Sequence, residues 1–276
     1  MTVLQAVIMG IVQGLTEYLP VSSSGHLVLA QHLLGIKGSL LAFDVALHAG
    51  TLFALFVYFH KDLTAIVTES IEYFRRLPKE PKKGDLIDEF PMALAAALVL
   101  VATIPTAAIG LAFKDSFEGM FQSIPFAGYM WILMGILLVF SRRFQRGSRT
   151  MYEMNHQDAF VLGIIQGISI IPSISRSGAT ILGGMWLGID RKEAARFSFL
   201  MSIPAVMAAN VLELGGFLDF FRDYPQAMIA GFAASTLVGY LSIFALVKVI
   251  AKGNFFIFGF YCIAAGIFSL AISFFH

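Results

Sequence analysis

The chain is 276 residues long; 58% of them are hydrophobic and 13% charged, against roughly 25% charged in an ordinary soluble domain. A mean hydropathy of +0.79 excludes a soluble globular enzyme, a disordered chain and a coiled coil. The net charge of +1 excludes a nucleic-acid partner held by bulk positive charge, and a single cysteine, Cys262, excludes an internal disulfide or a cysteine-based metal cluster. These limits leave an integral membrane protein with the lipid bilayer as its surroundings, and the continuously apolar segments described next make it an all-α polytopic one. The first Lys or Arg is Lys37, so the N-terminus lacks the positive flank of a cleavable signal peptide and is expected to belong to the mature fold.

In chain order, an apolar stretch Val3–Leu19 comes first. It is followed by the polar turn Pro20-Val21-Ser22-Ser23-Ser24-Gly25-His26 and a short apolar leg, Leu27–Ile36. Ten helical residues reach only about 15 Å, half the hydrocarbon thickness. This spacing predicts a re-entrant hairpin over 3–36, with its non-helical turn buried in protein or lining a wet cavity. Continuously apolar segments at 40–59, 92–113 and 124–140 then predict three transmembrane helices, interrupted by Asp44 and His48. A second hairpin is expected over 159–189, where Phe160–Ile171 leads into Pro172-Ser173-Ile174-Ser175-Arg176-Ser177-Gly178. Three more spans follow at 197–218, 226–247 and 255–275, making six in all; Glu213 interrupts the first of these. No segment alternates as the strands of an outer-membrane barrel do.

The hairpins are copies. A shift of 153 residues aligns Gly10–Ile36 with Gly163–Ile189 without a gap, and 11 of 27 pairs are identical. The identities include Gln13/Gln166, Ser22/Ser175, Ser24/Ser177 and Gly25/Gly178. Six spans and two hairpins place fifteen cations on one face: Lys61, Arg75, Arg76, Lys79, Lys82, Lys83, Arg142, Arg143, Arg146, Arg149, Arg191, Lys192, Arg196, Lys248 and Lys252. Lys37, Lys114 and Arg222 fall on the other, with Arg176 inside. The positive-inside rule then puts both termini outward. With three spans between them, the hairpins enter from opposite sides. The expectation is one membrane domain over 1–276 containing inverted-topology repeats, approximately 1–113 and 155–250, whose broken helices end at a midplane site.

Ser22–Ser24 and Ser175–Ser177 are natural caps for the returning helices, whose N-termini would favour an anion. Arg176 adds a planar donor fork suited to phosphate, or else pairs with Glu17. Gly25 and Gly178 would let backbone approach a ligand. Glu17 and His26 flank the first serine cluster and suit acid–base chemistry. Gln13, one turn before Glu17, would be a neutral ligand to phosphate or metal. Asp44 and His48, one turn apart, form either a locally satisfied pair or part of a cation site. Glu193 is read as a helix cap, and Cys262 as a packing or lipid-facing residue.

Together these motifs resemble the undecaprenyl-diphosphate phosphatases of the bacitracin-resistance family. Gln13-Gly14-Leu15-Thr16-Glu17 is similar to the family's [E/Q]xxxE motif, PVSSSGH at 20–26 to its serine–histidine motif, and PSISRSGAT at 172–180 to its PGxSRSxxT motif. The flanks Gly110–Asp115 and Ala194–Phe199 are also similar. Gln13 stands where some members carry Glu, and Ser173 where the motif usually has Gly. The resemblance implies hydrolysis of the terminal phosphate of a C55 polyprenyl diphosphate, which recycles the lipid carrier of cell-wall synthesis and confers bacitracin resistance. It further implies that Arg176, Ser175, Ser177 and Thr180 hold the diphosphate, beside Gln13, Ser22, Ser24, Gly25 and Gly178. Ser23 is the implied nucleophile, with His26 or a water as alternatives. Mg²⁺ or Ca²⁺ would lie near Gln13 and Glu17. Bacitracin would be met only indirectly, through the shared lipid, and a homodimer is compatible with this reading. The implied location is a bacterial-type cytoplasmic membrane with the site opening outward. A polyprenyl-phosphate flippase using the same anion site is the alternative that inverted repeats suggest.

Overall fold

A computed structural model describes residues 1–36, 40–77, 87, 89–113, 120, 123–144 and 147–275. Of the residues used above, Lys37, Lys79, Lys82, Lys83, Lys114, Asp115 and Arg146 lie outside the described residues. Helix α1 (Val3–Tyr18) begins at Thr2, which forms a capping box with Gln5. It stops at Leu19, whose extended backbone is what a following proline, Pro20, enforces. Helix α2 (Ser23–Leu33) ends in a left-handed Gly35 at φ 62°. The second hairpin repeats the plan. Helix α7 (His156–Ile168) starts from an Asn155–Asp158 capping box, and α8 (Arg176–Trp186) runs out to a left-handed Gly188 at φ 81°.

Between and after the hairpins lie α3 (Leu41–Tyr58), α4 (His60–Arg76), α5 (Pro91–Ala112), α6 (Ile124–Phe140), α9 (Arg191–Leu212), α10 (Leu214–Asp223), α11 (Pro225–Ala251) and α12 (Ile257–Phe275). Helices α3, α5, α6, α9 and α11 are long and apolar enough to cross a membrane, five candidate spans among the described residues. Exposed Leu100, Ile104 and Leu111 on α5 and Leu237 and Leu241 on α11 suit an acyl environment. The chain is a multi-pass, all-helical membrane protein.

Two expectations are corrected. The span drawn at 197–218 is not one helix: α9 starts earlier, at Arg191, and stops at Leu212. Glu213 then caps the junction to α10, whose mixed charged and apolar sequence cannot continue a buried span. Glu193 is not the cap of α9. Asp190 fills that role, accepting from the backbone N–H groups of Lys192 and Glu193. Helix α4 was not foreseen, because its apolar residues Val67, Ile71 and Phe74 recur on one face of an otherwise charged helix. Its Glu69 accepts from Met92 N and Ala93 N, satisfying donors at the start of α5.

Packing pairs the first helix of each hairpin with a distant span. Helix α1 runs along α11, α7 along α5, and α6 along α12. The equivalent glycines Gly10 and Gly163 make the first two contacts possible. A Cβ on Gly10 would strike the Gly231 carbonyl, and one on Gly163 would strike the Ala102 carbonyl. Gly163→Ala is therefore expected to lower thermal stability in detergent by about 1–3 kcal/mol. Gly215→Ala, which meets nothing within 4 Å, is the control and should leave the unfolding temperature unchanged or raised. Equal effects of the two would refute the close α7–α5 contact.

Candidate functional site

Non-helical backbone away from water needs partners, and both turns have them. Around the first, Ser177 Oγ donates to Leu19 O at 3.4 Å, Cys262 Sγ to Pro20 O at 3.4 Å, and Trp131 Nε1 to Val21 O at 2.8 Å. Consecutive carbonyls are thus satisfied from α8, α12 and α6. The turns also bond to each other: Ser173 N donates to Ser24 Oγ at 3.3 Å. Ser22 and Ser173, at φ 68° and 66°, carry left-handed strain that these contacts hold in place.

Glu17 is the hub of the site. Its Oε2 accepts from Ser23 Oγ at 2.7 Å and from Gln13 Nε2 at 3.0 Å. Its Oε1 forms an ion pair with Arg176 Nη2 from the other hairpin. His48 Nε2, from α3, lies 3.5 Å from Oε2. The carboxylate is buried, so an unpaired charge there would be costly, and the Arg176 partner compensates it.

A cavity of about 350 Å³ opens over this hub. Glu17, Ser22, Ser23, Ser24, Ser175 and Arg176 line its polar wall, joined by His48, and Ala205, Val206 and Ala209 line an apolar flank on α9. Thr106, Gln166, Ser169 and Asn210 add neutral polar groups. The mixed lining suits a ligand with a charged head and an apolar tail.

Other expected site residues stand elsewhere. His26 is not among the lining residues. Its Nδ1 donates to Ser22 O and its Nε2 accepts from Tyr261 OH, each at 2.7 Å, with the ring stacked on Tyr261 and edge-on to Trp131. Thr180 turns toward α9, 2.6 Å from Ser198 Oγ. Ser177 is buried between Ser175 Oγ and the Leu19 carbonyl. Gly25 and Gly178 serve packing instead of ligand approach: a Cβ would meet Ser173 and Trp131 at the first, and Met134 and Pro20 at the second. Of the expected caps, Ser175 bonds Gly178 N at 3.1 Å, whereas Ser22 makes no side-chain cap. Asp44 and His48 are not a side-chain pair. The carboxylate accepts from Gln31 Nε2, and the imidazole Nδ1 donates to the Asp44 backbone oxygen. His48, expected either in a local pair with Asp44 or in a cation site, lines the cavity beside Glu17 instead; Thr106, Ser169 and Asn210 line it without having been foreseen, since isolated polar residues in apolar helices carry no local signal.

Among the described residues no three His, Cys, Asp or Glu side chains gather as a metal site by themselves. The carboxylate oxygens that reach the cavity are those of Glu17; one turn back on α1, the Oε1 of Gln13 is buried and unpartnered. Such a donor set fits a hard divalent ion whose shell is completed by substrate phosphate and water.

Residues 6–268 match the family described as Bacitracin resistance protein BacA. The chain is 39% identical to an undecaprenyl-diphosphatase of Methanosphaera stadtmanae, with 98% of each chain covered. It is 37% identical to one of Desulforapulum autotrophicum, with 99% of each covered. A third, of Alkaliphilus metalliredigens, is 40% identical over 96% of this chain and 97% of its own. With the match running almost end to end and relatives of full length, the chain belongs to the bacitracin resistance protein BacA family.

Proposed function

We propose that the chain hydrolyses undecaprenyl diphosphate, the activity for which its relatives are named, releasing inorganic phosphate and leaving the lipid monophosphate in the membrane. The observation that carries this reading is the convergence of Ser23 Oγ and the Arg176 guanidinium on the two oxygens of Glu17 at the cavity wall. A hydroxyl, a base and a fixed cation are what phosphoryl transfer asks of a protein. The transporter alternative draws no support from the relatives.

In the proposed mechanism Ser23 Oγ attacks the terminal phosphorus while its proton moves to Glu17. The bond from that phosphorus to the bridging oxygen breaks, and the proton passes on to the departing lipid phosphate. As Glu17 is neutralised, Arg176 loses its internal counter-charge and turns its donors to the phosphoryl oxygens. Water then displaces Ser23 from phosphorus. Ser24 and Ser175 line the diphosphate pocket. His26 acts through the turn, tying Ser22 O to Tyr261. Glu17 and Gln13 would hold Mg²⁺ or Ca²⁺, which would screen phosphate charge when bound.

The reading includes six crossings, with α12 as the sixth, and two re-entrant hairpins, α1–α2 and α7–α8. Their turns meet at the cavity, and α1 (16 residues) and α7 (13 residues) are each shorter than the roughly 20 residues a crossing needs. Reciprocal packing of α1 on α11 and α7 on α5 supports inverted repeats over approximately 1–113 and 155–250. The fifteen-to-three distribution of Lys and Arg supports outward termini in a cytoplasmic membrane.

Purified protein should release phosphate from undecaprenyl diphosphate, lose that activity on chelation of divalent ions, and regain it with Mg²⁺ or Ca²⁺. Activity unaffected by chelation would refute the metal. Arg176→Lys keeps the charge but loses the fork and is expected to lose most activity; parent-like turnover would refute bidentate phosphate binding. Glu17→Gln should lower turnover of the folded protein roughly 100-fold or more, and should also lower the unfolding temperature, because it leaves Arg176 without its counter-charge. Orientation is read by Ser24→Cys in a Cys262→Ser background, which keeps a donor for Pro20 O. A membrane-impermeant thiol reagent should label it from outside intact cells, with protection by substrate; labelling from the cytoplasm alone would overturn the outward site.

A further inference from the structure

Among the described residues that line the cavity there is one imidazole, and it comes from α3, not from the serine turn. Its orientation is determined by its neighbours. His48 Nδ1 lies 2.7 Å from the Asp44 backbone oxygen, and a carbonyl oxygen only accepts, so Nδ1 carries the hydrogen. Asp44 is itself anchored to α2 through Gln31, at 2.8 and 3.0 Å. Nε2 therefore faces the cavity, 3.5 Å from Glu17 Oε2, and in this tautomer it offers a lone pair.

In that tautomer Nε2 and Oε2 are neighbouring acceptors, and the smallest donor whose two hydrogens can serve both is a water. The same Oε2 receives the Ser23 hydroxyl at 2.7 Å. A water bridging His48 and Glu17 would stand beside Ser23 Oγ, the oxygen that carries the phosphoryl group in the serine pathway proposed above. The other imidazole near the turns, His26, is not placed to hold it, since both its ring nitrogens are occupied by Ser22 and Tyr261.

We propose that His48 is a further catalytic residue, whose Nε2 and Glu17 together hold the water that releases phosphate from Ser23. The inference rests on the serine pathway proposed above. The water oxygen bonds to phosphorus as the Ser23 Oγ–phosphorus bond breaks. One water hydrogen goes to Glu17 and on to Ser23 Oγ. The other stays hydrogen-bonded to His48 until it leaves on the phosphate, and His48 undergoes no change of charge.

The experiment uses undecaprenyl diphosphate radiolabelled in its terminal phosphate, full-length protein in detergent, and acid quenching, which preserves a phosphoserine ester. His48→Ala is expected to slow turnover about 100-fold and to accumulate label on the protein at Ser23, well above the parent's steady-state level. His48→Gln, which keeps an acceptor oxygen, should recover part of the rate and show less label; it also guards against loss of fold in the Ala variant. Slow turnover of both folded variants without accumulated label would overturn the role in the second step, as would parent-like turnover. Ser23→Ala distinguishes the two failures. If it keeps parent turnover, the serine pathway itself is wrong, and if it is inactive while His48→Ala gathers no label, only the His48 inference falls.

Discussion

One ion pair, between the buried Glu17 and the half-buried Arg176, ties the two turns at the centre of this molecule. Each charge alone would be prohibitive inside a membrane protein. Paired, they join two turns whose sequences are 159 residues apart. Everything that gives the site its shape follows from keeping those turns in contact: the Ser24–Ser173 bond, the carbonyl partners from α6, α8 and α12, and the glycines that let Trp131 and Met134 press close. In the mechanism proposed above the same two groups are the base and the phosphate ligand, so protonating the carboxylate would release the guanidinium.

The geometry separates residues that line the cavity from residues that brace the turns. Ser23, Arg176 and Glu17 meet within the cavity, whereas His26, Thr180, Ser177, Gly25 and Gly178 surround it from behind. Motif membership does not imply contact with substrate. In a strained, non-helical turn, much of a motif is spent on satisfying backbone and excluding alternatives.

The limits of reading the sequence have the same cause. The turns, their duplication, Glu17, Ser23 and Arg176 were legible because their signals are local: a polar cluster inside apolar sequence, repeated in register. The spans were legible to within a few residues for α3, α5, α6 and α11 because hydropathy is additive along a helix. Helix α4 was missed and α9 misdrawn because both mix charge with apolar residues, so a window average hides the face that matters. His48 was read with its sequence neighbour Asp44, while its side chain points to Glu17 on another helix. Partners across helices are set by tertiary packing, which local spacing does not carry.

The duplication also explains how one site came to hold opposite chemistries. In the 153-residue alignment Ser23 and Arg176 occupy equivalent positions, and Glu17 is equivalent to Ile170. The framing residues stay the same in both copies: the serines on either side, the glycine after them, and the Gly35 and Gly188 stops. Two positions that face the cavity have diverged: Glu17 against Ile170 and Ser23 against Arg176. Had both copies kept a carboxylate, two like charges would crowd one dry site, and had both kept arginine, no base would remain. A scaffold duplicated for geometry, with each copy supplying one half of the charge, brings a hydroxyl and a guanidinium to the same carboxylate. Neither copy could build that arrangement alone.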